Sequence, residues 1–135
     1  LYGELVFFRD ANWDPDFPSS ARRALGIYAN DRGVEADGVV ALDLEALRLL
    51  VEAVGPIQLE GIGDPVSGAN VLDVIQAQWD EPVGDSKQEW WLHRKDFMGQ
   101  IATGAMNRAL MGQGVQRERL ARAVVQALGE KHLLL

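Results

Sequence analysis

The order of apolar patterns predicts an α/β fold, a layered sheet with helices on both faces. Three observations predict it. Two short apolar runs, Glu4–Arg9 and Gly38–Leu42, lack helical period and alternate with amphipathic stretches. The second is flanked by Asp37 and Asp43 and reads as a central strand buried on both faces. A third apolar run, Leu133-Leu134-Leu135, stands at the end of the chain after a helical pattern.

Length and composition agree with one domain over residues 1–135. Of the 135 residues, 47% are hydrophobic and 24% charged, which excludes a disordered tail, a collagen-like polymer and a disulfide miniprotein. A chain of this size can bury roughly two-thirds of its unfolded surface, so a core needs no metal or crosslink. Cysteine is absent, which removes disulfides, thiolate nucleophiles and cysteine-type zinc sites together. Thirteen basic against 20 acidic residues leave a net charge of −7, so no nucleic-acid partner is expected.

Taken in order, Glu4–Arg9 (Glu-Leu-Val-Phe-Phe-Arg) predicts a buried strand. Asp10–Pro18 follows, and Pro15 and Pro18 argue against any regular element there. Ser19 or Ser20 then caps a helix to about Asn30, with Ala21, Leu25 and Tyr28 on one face and Gly33 beyond its end. Asp43 is a good N-cap for a helix whose Leu47, Leu50, Val51 and Val54 recur at helical spacing, and Gly55-Pro56 stops it. Ile57–Leu59 predicts a short strand or edge, Gly61–Gly68 a loop, and Asn70 with Asp73 a capping pair for a helix to about Trp79.

Asp80–Ser86 is a polar break. A long helix is predicted from Lys87 to Met111, with Phe97, Ile101, Ala105 and Met98, Ala102, Met106 as its apolar rows. After Gly112-Gln-Gly114, a last helix should bury Leu120, Val124, Val125 and Leu128. The chain opens on Leu1 without a signal stretch, and no run of about 18 apolar residues is present. Both ends look cut, so the expectation is an excised piece of a longer protein, with any membrane anchor lying outside it.

The strongest local chemistry is Arg9-Asp10, at the end of the first strand and before a loop. Open α/β sheets place ligands at strand carboxyl ends, where Arg can meet an anion and Asp a cation. The competing reading is that Asp10 caps a turn and Arg9 pairs with it or with Asp14. Arg94-Lys95, early in the long helix after Trp90-Trp91 and His93, is the second candidate for an anion. Its alternative is a solvated face neutralised by Asp96 or Glu89. Arg22-Arg23 reads as an exposed helical face. Asp10, Asp14 and Asp16 have hard-cation chemistry, but Pro15 interrupts them and loop solvation or helix capping explains them as well. His93 and His132 lack zinc spacing, and Gly61-Ile-Gly63 completes no dinucleotide motif. Neither a G-x-S-x-G motif nor a phosphate-binding loop occurs.

The stretch Arg9-Asp-Ala-Asn-Trp-Asp-Pro-Asp-Phe-Pro-Ser-Ser-Ala-Arg22 resembles a bacterial family called domain of unknown function (DUF) 4012. Asp37–Leu47, Val51–Ile57, Arg94–Met98 and Lys131–Leu135 resemble its later segments, in order. That family in turn is distantly similar to the LytR-CpsA-Psr proteins of cell-envelope assembly. The resemblance implies a membrane-anchored parent with an extracytoplasmic α/β domain. It implies transfer of glycopolymer from a polyprenyl-linked pyrophosphate, with arginines on the phosphates and magnesium held by Asp. Carried over by position, Arg9, Arg94 and Lys95 would bind phosphate and Asp10 the magnesium, while apolar faces near Trp90 and Phe97 would receive lipid.

This chain also departs from that pattern. The relatives' first strand, with its own Asp and Arg, would precede Leu1, and Lys87 is the nearest basic residue to a further expected arginine. Trp90-Trp91-Leu92 replaces a more polar approach. A non-catalytic scaffold or interaction module of the same fold is therefore the alternative reading, and an unrelated cytoplasmic α/β domain a third. Apolar surface left by a missing N-terminal strand would favour a homodimer.

Overall fold

The structure, a computed structural model, describes residues 8–80, 87–111 and 117–135; for residue 9 and residues 87–96 it describes the backbone alone. Two compact units emerge, Leu1–Ala41 with Leu134–Leu135, and Leu42–Leu133.

In the first unit a 3₁₀ helix spans Phe8–Trp13, kinked at Asn12. The end of the predicted first strand, Phe8-Arg9, is therefore helical, and residues 4–7 of that strand lie outside the described residues. The segment after it is also more regular than its prolines suggest. Helix α1 runs Phe17–Arg32 and starts before Ser19, with Pro18 in its first turn. A missing N–H matters least there, because the first four helical N–H groups have no intrahelical acceptor. Asp16, not a serine, is the cap: its Oδ2 accepts from the Ser19 backbone N–H at 3.0 Å and from the Ser19 hydroxyl at 2.6 Å. Gly33 ends α1 in the left-handed region at φ 65°, where its N–H donates to the Ala29 carbonyl.

The predicted central strand is corrected. Only Ala41–Leu42 forms a strand, β1, and Val40 and Leu42 are 60% and 46% exposed. A strand persists only where a neighbour pairs with its backbone. Among the described residues that neighbour is β2, Leu133–Leu134, the predicted terminal run. The observed fold is thus mixed but mainly helical, with one small two-stranded sheet among the described residues.

The second unit is organised by helix α2, Leu44–Val54, which buries two faces. Leu47, Val51 and Val54 join Ile57, Leu59, Val66, α3 (Val71–Trp79) and α4 (Lys87–Met111) in one apolar core. Ala46 and Leu49 pack instead with Ala123, Ala127 and Leu133, on α5 (Arg117–Gly129) and β2. Between the two faces runs a partly exposed edge of Glu45, Arg48 and Glu52. Arg48 bonds both carboxylates, at 2.7 Å to each. Such surface pairs contribute little stability, so burial on either side is what fixes α2.

Several sequence expectations meet a different packing here. Ile57–Leu59 is reduced to an antiparallel bridge, Ile57 with Val66, with both N–H···O distances at 2.8 Å. Asn70 precedes α3 but its side chain turns backward, accepting from the Ser67 N–H at 2.7 Å, and makes no bond to the α3 amides. On α4 the row Phe97, Ile101, Ala105 is core, whereas Ala102 and Met106 are exposed. On α5 the buried residues are Ala123 and Ala127, while Val125 is 68% exposed and Leu128 37%. Small side chains let α5 approach α2 closely, while Leu120 and Val124 are half-buried and Val125 is turned out.

Gly68 fixes a second close approach. A Cβ there would lie 2.9 Å from the Glu52 Cα, on the backbone of α2. Gly68→Ala should therefore lower the unfolding free energy by about 1–3 kcal/mol, the cost of forcing a methyl group into a packed contact. Gly26→Ala, with open space at its Cβ inside α1, should be neutral or stabilising. Urea unfolding of the two variants beside wild type checks both.

Candidate functional site

The first unit carries an apolar groove of about 370 Å³. Phe8, Ala11 and Asn12 form one wall, Phe17, Ser20 and Ala24 another, and Val39–Ala41 the third. Phe8 stacks edge-on against Tyr28, with ring centroids 6.5 Å apart, and is still 54% exposed. A smaller space of about 230 Å³ is lined by Phe8, Leu25, Tyr28 and Val39. Trp13, on the same 3₁₀ helix, is 87% exposed. Exposed aromatic and apolar groups are thus gathered along one short segment.

Arg9 and Asp10 lie on that 3₁₀ helix, between Phe8 and the groove residue Ala11. The Asp10 side chain is exposed, and that of Arg9 lies outside the described residues. The two neighbouring acids are committed locally. Asp14 Oδ1 accepts from the Asp16 N–H at 3.2 Å, and the Asp14 carbonyl accepts from the Ser20 hydroxyl at 2.8 Å. The hydrogen bond from the Ser19 hydroxyl holds the Asp16 carboxyl below its usual range. Capping therefore accounts for Asp14 and Asp16, as one of the two sequence readings has it.

Arg94 and Lys95 lie in α4, in the second unit, with their side chains outside the described residues, as are those of Trp90, Trp91 and His93. Arg94 is about two turns inside the helix that starts at Lys87. The free N–H groups of a helix belong to its first four residues, and Arg94 is not among them. Phe97, expected to help receive lipid, is 5% exposed and sits in the core.

The second unit holds a polar cluster that sequence spacing does not reveal. His132 Nδ1 lies 2.7 Å from Asp43 Oδ2, across 89 positions of sequence. Asp43 Oδ1 meanwhile caps α2, accepting from the Glu45 and Ala46 N–H groups at 3.0 and 2.9 Å. The Asp43 N–H donates to the His132 carbonyl at 3.0 Å. Lys131, in the left-handed region at φ 63°, turns the chain out of α5 so that His132 reaches this position. The Ala46 N–H and then His132 lower the Asp43 carboxyl, and the Asp43 hydrogen bond raises the imidazole. The cluster latches the start of α2 to the end of α5. The expected N-cap role of Asp43 was legible; its partner was not, because no local pattern links two residues so far apart.

A family model described as "Protein of unknown function (DUF4012)" matches residues 2–79. The chain belongs to the DUF4012 family. The match takes in the groove, Arg9-Asp10 and the Asp43 cap, and stops at the end of α3, before Arg94 and His132. No curated protein and no solved structure matches this DUF4012 chain. Among the described residues no helix is long and apolar enough to cross a membrane.

The latch gives this DUF4012 chain a pH signature. His132 is raised above its ordinary 6.5, so its contribution is complete below that value and is lost as pH rises through the folded one. Asp43 is lowered below 3.8, so its contribution holds above that value and is lost as pH falls through the folded one. The charged groups around the imidazole are Asp43, Glu45 and Glu130. Melting temperature should therefore fall on going from pH 6 to pH 8, and His132→Gln should flatten that alkaline limb. Calorimetry across that range, on both proteins, checks it.

Proposed function

We propose that this DUF4012 chain binds a lipid-linked phosphate or pyrophosphate, with the apolar chain in the groove of the first unit and the phosphate at Arg9-Asp10. One observation carries the reading: an apolar groove and an Arg-Asp pair share one short 3₁₀ helix. An amphiphile needs that combination, since its chain gains from leaving water and its head needs a guanidinium fork. The distant similarity to LytR-CpsA-Psr proteins supports a polyprenyl carrier, glycopolymer transfer as the reaction and a similar layered domain for the whole protein. It also supports an extracytoplasmic place on a membrane-anchored parent, and Arg94-Lys95 as a second phosphate clamp.

Magnesium fits this reading only in part. Among the described residues no three acidic or imidazole groups gather around one point. Magnesium is commonly bound by one or two carboxylates together with substrate phosphates, so Asp10 would be its protein ligand. When bound it would neutralise charge on the phosphate oxygens. A non-catalytic scaffold of the same fold is favoured by one observation, the commitment of Asp14 and Asp16 to capping.

Binding to vesicles carrying a polyprenyl phosphate, compared with vesicles lacking it, tests the proposal. Arg9→Ala should weaken binding by about tenfold or more, the effect of losing one charge-assisted bond. Arg94→Ala should weaken it as well, and Ala21→Phe, which narrows the groove, should weaken binding of the long-chain lipid more than that of free pyrophosphate. Equal affinity in wild type, Arg9→Ala and Arg94→Ala would end the phosphate-clamp reading and leave the scaffold.

A further inference from the structure

The outward half of α4 is built unlike the rest of this chain. Residues Met98–Met111 hold one ionisable side chain, Arg108, where a chain 24% charged would place about three in fourteen. Arg108 is itself engaged, its Nε donating to the Val54 carbonyl at the end of α2. Arg108 apart, the exposed surface of this half-helix is uncharged and partly apolar: Met106 is 60% exposed, Leu110 72% and Met111 82%. Depletion of charge together with exposed methionine is the compositional mark of an interface centre.

Spacing makes the mark more specific. Gly99, Thr103, Met106 and Leu110 follow one another at intervals of four, three and four, the rhythm of a helix–helix seam. At about 100° per residue all four lie roughly opposite Ile101, which is fully buried in the core. The stripe is thus the back of α4. Its two ends differ in size. Gly99 and Thr103 are small and border an open groove whose far wall is Gln58–Glu60, while Met106 and Leu110 project.

We propose that this stripe is an interface on which a second copy of the chain docks, with the two α4 helices antiparallel about a two-fold axis. Antiparallel pairing sets Leu110 of each helix against Gly99 of the other, and Met106 against Thr103. Large then meets small at every position, and the surface is complementary to itself, as a two-fold interface requires. Parallel pairing would set Leu110 on Leu110 and Gly99 on Gly99, a clash beside a void. Charge selects the same occupant. Two chains of net charge −7 repel over most of their surfaces, and a stripe that carries no ionisable group of its own, with Glu60 at its rim, is where they can approach with few opposed like charges. The interface is independent of the lipid-phosphate reading, since it uses none of the first unit's residues.

The absence of cysteine permits a direct test of the register. The double variant Gly99→Cys/Leu110→Cys should form interchain disulfides under mild oxidation, because antiparallel pairing brings the two positions face to face. Gly99→Cys alone should not, since the two copies of residue 99 would be about 16 Å apart along the axis. Sedimentation velocity of the unmodified chain should show a concentration-dependent dimer. Leu110→Glu should raise its dissociation constant about tenfold or more, as loss of a central anchor does, with the circular-dichroism spectrum unchanged because the residue is exposed. A chain that stays monomeric at all concentrations, or a dimer indifferent to Leu110→Glu, overturns the proposal. So does equal crosslinking by the single and double variants. Vesicle binding by a monomeric chain that Leu110→Glu abolishes would assign the face to lipid instead and overturn it equally.

Discussion

The second unit depends on one constraint, the burial of α2 on two sides at once. Eleven residues supply Leu47, Val51 and Val54 to one apolar cluster and Ala46 and Leu49 to another. The edge carrying Glu45, Arg48 and Glu52 is left towards water, and those three satisfy one another. A helix so placed has little freedom to rotate, because turning it would drive a charged edge into a core. The ends are secured separately. Asp43 caps the start and Arg108 reaches the Val54 carbonyl at the finish.

From that fixed helix the remaining geometry of the unit follows. Gly68 and Gly104 are the points where chain meets chain too closely for a side chain; a Cβ on Gly104 would lie 2.9 Å from Ile57 Cγ2. Alanines on α5 serve the same end on the other side of α2. Some larger side chains of α4 and α5 are left on the outer faces. On α5 these are Val125 and Leu128; on α4 they are Met106 and Leu110, on the side of the helix away from Arg108. That outer stripe of α4 is the face proposed for a second copy of the chain.

The first unit is organised by capping more than by core. Asp14 and Asp16 spend their oxygens on the entry to α1, which sets the 3₁₀ helix beside it and opens the groove along Phe8, Ala11 and Ala24. In this acidic, proline-rich segment Asp14 and Asp16 serve capping, beside an apolar surface. Arg9-Asp10 stood out in the sequence for its charges. The groove did not, because its walls come from three segments whose apolar residues each look ordinary.

The sequence by itself determined where several helices begin and end, since caps and periodicity are local, although the start of α1 at Asp16 and the missing Asn70 cap were not read from it. Asp43, Gly33, Gly55 and the span Lys87–Met111 were all legible in this way. Tertiary structure decided which of several apolar rows is buried. Periodicity names a face of α4 or α5 without knowing how near the neighbouring helix comes, and that distance was set by alanine and glycine, which carry almost no hydropathy signal. It also decided that Gly38–Leu42 yields only two residues of strand, because a strand is a relation between two segments and not a property of one.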